Sequence, residues 1–248
     1  MVDVKNTVSK EEWEVRTDLA AFYRTVPHFG WDDLIFTHIS AKVPGTDNEF
    51  LINPYGFLFD EINASNLVKV NLKGKILSDT NNFINPAGFT IHSAIHEARD
   101  DAHCIVHLHS NDGVAVASLK DGLLPLSQTG MLVRSHIAYH DYEGVALFDD
   151  EKERLVKDLG ENKLMILRNH GTLALGKNIA ETFTNIYFLE KACTYQVRAM
   201  AGNLELNYPS EEAKETTRKQ GEGREMAAAL LWPAIKRKME SIDSSFMN

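Results

Sequence analysis

Apolar residues recur along this chain at two periods, and the switches between them mark its elements. Ser9 and Glu12 form a capping-box start, after which Trp13, Leu19, Ala20, Phe22 and Tyr23 supply one apolar face of a helix. "LIFTHISAK" (Leu34 to Lys42) is β-branched and predicts a strand. "FLINPYG" predicts a second strand, ending in an Asn-Pro-x-Gly turn. In "VKVNLKGKI" the alternation is clean, with Val68, Val70 and Leu72 facing one way and Lys69 and Asn71 the other. Asn85-Pro86 caps a helix through "AGFTIHSAIHEARD", followed by a strand at "CIVHLH" and a helix at "GVAVASL". "LMILRNHGTLALG" predicts strand, sharp turn at His170-Gly171, and strand. Asn178 and Glu181 then open a long helix closed by Gly202. Hairpin turns outnumber regular βαβ units, so the pattern predicts a mainly antiparallel sheet covered by helices. We expect one domain over residues 1–208. A polar segment and helix over 209–248 should pack on the same or a neighbouring subunit.

Composition narrows the function classes. Hydrophobic residues make up 44% of the 248 and charged residues 25%, as in an ordinary globular protein. A net charge of −9 argues against nucleic-acid binding, and Lys236-Arg237-Lys238 reads as the solvated end of a helix. The two cysteines, Cys104 and Cys193, form no CxxC pair and suit a reducing compartment. The opening residues lack a signal-peptide pattern and no window has a membrane-spanning apolar length. The expectation is a cytoplasmic protein without a membrane partner.

The histidines carry the chemistry. On a strand, His107 and His109 share a face with Ile105, while Cys104, Val106 and Leu108 face the core. That spacing can chelate one divalent ion, or it can be two buried rings bonded to main chain. His170 in "LRNHGT" is a third candidate, because Gly171 lets the backbone approach closely. His92 and His96 stand i, i+4 on a helix, but Ser93 occupies the place where the zincin pattern has its glutamate. A metalloprotease is therefore not expected; His92 could support other ligands, and His96 is expected on an exposed helix face.

Together, "FTIHSAIHEARDDAHCIVHLH", "VHLHS" and "LRNHGTLALG" resemble the class II aldolase/adducin family from about Trp13 to Gly202. "THISAK", "INPYGFLFDEI", "LLPLSQ", "AYHDYEG" and "LWPAIKRK" resemble its adducin-like branch. The resemblance implies a three-layer α/β/α aldolase II fold and a homotetramer with sites at subunit interfaces. It also implies a divalent metal on His107, His109 and His170, zinc first, with iron, manganese or cobalt as alternatives. The acidic residue that moves the substrate proton in the family's sugar-phosphate aldolases falls on Gly88, which has no proton to give. The phosphate-holding serines fall on Pro86-Ala87, and the Gly-Asn-x-Ser loop becomes Thr37-His38-Ile39-Ser40. His38 and Ser40 remain as substrate-binding candidates. Actin or spectrin binding is not carried over from adducin, whose long basic tail has no counterpart in these residues.

The expected reaction is aldolase- or decarboxylase-type C–C chemistry on a small oxygenated carbonyl or acid, with the metal stabilising an enediolate or enolate. With glycine at 88, proton transfer falls to Tyr139, His140 or Tyr142 in "AYHDYEG", or less directly to Asp141 or Glu143. The competing expectation is a non-catalytic, adducin-like oligomeric interaction domain that keeps the histidines as a remnant.

Overall fold

The computed structural model describes residues 4–145, 149–202, 204–221 and 225–248. Helix α1 (Lys10–Phe29) starts where expected, with the Ser9 hydroxyl accepting from the Glu12 N–H. Only half of the capping box forms. The Glu12 carboxylate turns instead to Arg16 and Lys69, both at 2.9 Å. Gly30, at φ 71°, ends the helix in a left-handed cap.

Seven strands form one sheet in the order β3-β2-β1-β4-β7-β6-β5. They are β1 (His38–Lys42), β2 (Glu49–Ile52), β3 (Val68–Asn71), β4 (Cys104–Leu108), β5 (Ile137–His140), β6 (Leu164–Leu167) and β7 (Gly171–Gly176). Every pairing is antiparallel except β5 with β6, so the sheet is mixed but mainly antiparallel. Strand β1 is shorter than its β-branched run suggested. Leu34 and Thr37 hold positive φ, at 51° and 69°, which breaks the extended chain before His38.

Alternation along β4 sorts the two layers. Cys104, Val106 and Leu108 pack with Leu19, Phe22, Phe183 and Trp232, from α1, α6 (Ile179–Met200) and α8 (Glu225–Ile242). Ile105 packs on the other face with Ile91, Ile95, Leu155 and Leu159, from α2 (Pro86–Ala98) and α5 (Asp149–Leu159). This is the three-layer α/β/α sandwich. Helix α8 lies on α1 and α6, and Lys236 pairs with Asp18 of α1. The intervening α7 (Glu211–Gln220) rests on α4 (Gln128–Arg134). Both cysteines are buried and free.

Strand β5 and helices α4, α5 and α7 were not anticipated. Helix α5 buries little apolar surface beyond Leu155 and Leu159, so its pattern is nearly all polar. Among the described residues, no helix is long and apolar enough to cross a membrane.

Candidate metal centre

His107 sits inside β4 and is almost fully buried, at 1% exposure. Two residues on, His109 leaves the strand just before Ser110, whose hydroxyl accepts from the Gly113 N–H to cap α3 (Asn111–Ala117). His170 reaches the same place from the β6–β7 turn. Asn169 before it holds a left-handed φ of 56°. Gly171 after it could carry no Cβ, since one would lie 2.2 Å from the Leu108 carbonyl oxygen. That close approach clamps the turn onto the end of β4.

The three side chains converge. Nε2 of His107 lies 3.0 Å from Nε2 of His109 and 3.2 Å from Nε2 of His170. One donor atom from each residue lies within 4.8 Å of the others. The outer nitrogens decide what those contacts are. Nδ1 of His107 donates to the Thr172 carbonyl at 2.9 Å, and Nδ1 of His109 donates to the Asp33 carboxylate at 3.0 Å. With its proton on Nδ1, His107 presents a bare lone pair at Nε2, so its two short contacts are filled either by a hydrogen from a neighbouring ring or by one shared cation. Three imidazoles at ~2.0–2.1 Å from a tetrahedral ion would have nitrogens about 3.3 Å apart. The residues therefore fit a divalent metal.

Electrostatics agree with neutral ligands. Burial, then the charges of His170 and His109, hold His107 well below the usual imidazole range. Burial and His109 lower His170 to about 4. Protons thus compete weakly for these nitrogens near neutral pH.

Two carboxylates that were not singled out from the sequence surround the triad. Asp33, 76 residues from His109, fixes its tautomer. We expect Asp33→Asn to weaken divalent-metal affinity roughly 10–100-fold, as second-sphere changes do; equilibrium dialysis against zinc checks this. Glu190 on α6 is fully buried and accepts from Ser110 and Thr172, tying together the two turns that carry the histidines. Burial raises its carboxyl to about 7. A lone acid on the apolar face "IYFLEKAC" was its only sequence signal.

The other expected residues divide. His38 pairs in register with His107, with ring centroids 5.2 Å apart, beside the triad. A Cβ at Gly88 would fall 2.3 Å from Cδ2 and 2.7 Å from Nε2 of His38, so the imidazole fills the space that a side chain at 88 would need. Ser40 is not brought to the triad. It is fully buried, with its hydroxyl held between His92 and His96. The exposed position expected for His96 is overturned, since the ring is 3% exposed and packs against Phe50.

Tyr139 shares the face of Ile137 toward the α1/α6 layer. Its hydroxyl accepts from the Leu123 N–H, away from the triad. His140 faces the triad side. Its Nδ1 is 2.7 Å from the Asp158 carboxylate, and its buried Nε2 has no hydrogen bond. It lines a small cavity with Tyr142 and His170. Asp141 and Glu143 line the same cavity, and Glu143 is bound to Arg154. A far roomier cleft, about 580 Å³, lies near Lys42, His103 and Trp232. No set of convergent metal donors lines it among the described residues.

A mainly antiparallel α/β/α sandwich with three imidazoles at the β4 and β6–β7 ends defines a class of protein. The chain belongs to the class II aldolase and adducin N-terminal domain family, whose model matches residues 17–197. A Caulobacter vibrioides protein named "Putative aldolase class 2 protein" is 53% identical over 241 residues, 96% of this chain and 94% of that one. The crystal structure of an aldolase II superfamily protein from Pseudomonas syringae superposes with a TM-score of 0.95 at 46% identity, covering 99% of both chains. Rattus norvegicus alpha-adducin is 47% identical over 195 residues, 77% of this chain but 26% of adducin.

Proposed function

We propose that this protein is a divalent-metal-dependent lyase of aldolase or decarboxylase type, acting on a small oxygenated carbonyl or acid. The observation that supports it is the meeting of three Nε2 atoms, with the Nδ1 atoms of His107 and His109 already engaged by the Thr172 carbonyl and Asp33. His107, His109 and His170 would hold the metal, with zinc the first choice for an all-imidazole set. A bound ion supplies Lewis acidity toward a substrate carbonyl or carboxylate oxygen.

The chain's own residues do the rest. His140, oriented by Asp158, is proposed to hold or pass a proton at Nε2 in the cavity beside His170. Tyr142, whose ring lies 6.4 Å from that of His170, is the second candidate. Tyr139 and Ser40 would serve as supports, since their hydroxyls are already engaged within the fold. We place the working form as a cytoplasmic homotetramer with a small-molecule substrate. Residues 1–208 would form the domain, and 209–248 a polar segment and helix packing on the same or a neighbouring subunit.

The second reading is an adducin-like oligomeric interaction domain with a remnant metal site, and glycine at the acid position favours it. The deciding experiment loads purified protein with zinc, counts metal per chain, and screens small hydroxy- and keto-acids and hydroxycarbonyls for C–C cleavage. About one ion per chain with metal-dependent turnover supports the lyase. Metal without turnover supports the second reading, and absence of metal rejects both versions of the site. Cleavage of fuculose-phosphate-type substrates should be weak, because neither Gly88 nor Pro86-Ala87 supplies the aldolase contacts.

A further inference from the structure

Behind the triad, between the sheet and α2, a line of hydrogen bonds runs through His38, His92, Ser40 and His96. Its direction follows from one end. Nδ1 of His96 lies 2.8 Å from the Ala102 carbonyl oxygen, which can only accept, so Nδ1 carries a proton. Burial lowers His96 to about 3, so the ring is neutral and its Nε2 is bare. Ser40 Oγ, at 2.8 Å, must donate its one proton there. The Ser40 oxygen then accepts from Nδ1 of His92 at 2.5 Å. Burial holds His92 neutral as well, which leaves its Nε2 to accept from Nδ1 of His38 at 2.8 Å. The last atom of the line, Nε2 of His38, is left without a proton.

That atom has a distinctive setting. Its ring stands beside His107, on the adjacent strand and in register. Its Nε2–Cδ2 edge lies against the backbone of Gly88, where only glycine leaves room. No hydrogen bond among the described residues reaches it, and it is not among their buried, unpartnered atoms.

We propose that His38 Nε2 is a hydrogen-bond acceptor, set by the direction of the line behind it, that reads the substrate, selecting ligands with a hydroxyl beside the oxygen that meets the metal. Ser40, His92 and His96 are positioning residues, and the Ala102 carbonyl sets the direction for all of them. A 2-hydroxy acid or 2-hydroxycarbonyl satisfies the acceptor. A ligand offering only lone pairs at that point, such as a second carboxylate or a phosphate, meets lone pair with lone pair. This inference deepens the metal-lyase reading and rests on it.

The test has two arms. In the first, nitrogen-15 histidine spectra of the wild-type protein report the tautomers without metal or substrate. We expect Nδ1–H with bare Nε2 on His38, His92 and His96; an Nε2–H on His38 overturns the proposal. In the second, calorimetry measures glycolate and acetate binding to zinc-loaded wild type and His38→Leu. Loss of the acceptor should weaken glycolate roughly tenfold and leave acetate nearly unchanged, as expected for one lost hydrogen bond. Equal weakening of both acids, or of neither, overturns the proposal while leaving the metal reading intact. Failure of the wild type to take up zinc, seen before any acid is added, overturns the metal reading and this one with it.

Discussion

Replacing His107 with alanine should strip the protein of its divalent ion while leaving the sheet assembled. His107 contributes the nitrogen closest to both other ligands, at 3.0 and 3.2 Å, so its loss leaves two donors that no longer close a site. Complete zinc sites in small domains bind with ~10–16 kcal/mol, which makes one ligand worth on the order of a hundredfold or more in affinity. The fold should persist, because β4 pairs with β1 and β7 through its backbone. Elemental analysis after gel filtration, with circular dichroism as the control for folding, reads the result. A folded His107→Ala protein that keeps its full metal content would show that the ligands lie elsewhere.

The second large effect is acid lability. Burial lowers His38 and His96 to about 3 and pushes His92 well below its ordinary range, whereas the unfolded rings titrate near 6.5. Below pH 6.5 the unfolded chain therefore binds more protons than the native one, and stability falls with pH until the buried rings themselves protonate near pH 3. At pH 5, His38 and His96 cost about 2 kcal/mol each. Glu190 acts in the opposite sense. Its carboxyl, raised to about 7 against 4.5 in the open chain, favours the native state as pH falls, offsetting about one histidine. His92 adds to the loss, and so do the triad rings His107 and His170 in metal-free protein. Urea midpoints of metal-free protein should drop steeply between pH 6.5 and 5. A flat profile would mean that the rings are not held neutral.

Strand alternation was enough to place His107 and His109 on one face, and Gly171 after His170 signalled the close backbone approach that brings the third ring in. The layers were legible as well, since apolar periods distinguish α1 and α6 from the strands. What escaped depends on distance or on weak patterns. Strand β5 and helix α5 offer little apolar signal of their own. Asp33 meets His109 across 76 residues, which no local spacing encodes. His96 was misplaced because an i, i+4 histidine on a helix gives no hint of which neighbour covers it. The covering residues, Phe50 and Ser40, come from β2 and β1. The interior line of histidines is a tertiary product assembled from β1 and α2, far apart in sequence.

The tight contact between His38 and Gly88 bears on how such proteins can diverge. An acid introduced at 88 alone has no volume to enter, because its first carbon would land 2.3 Å from the imidazole. Removing the imidazole alone empties the niche without supplying a carboxylate. The scaffold thus admits a ring rising from the sheet or an acid descending from the helix, never both. Passage between the two chemistries therefore has an order, with the imidazole at 38 lost before a side chain at 88 is gained.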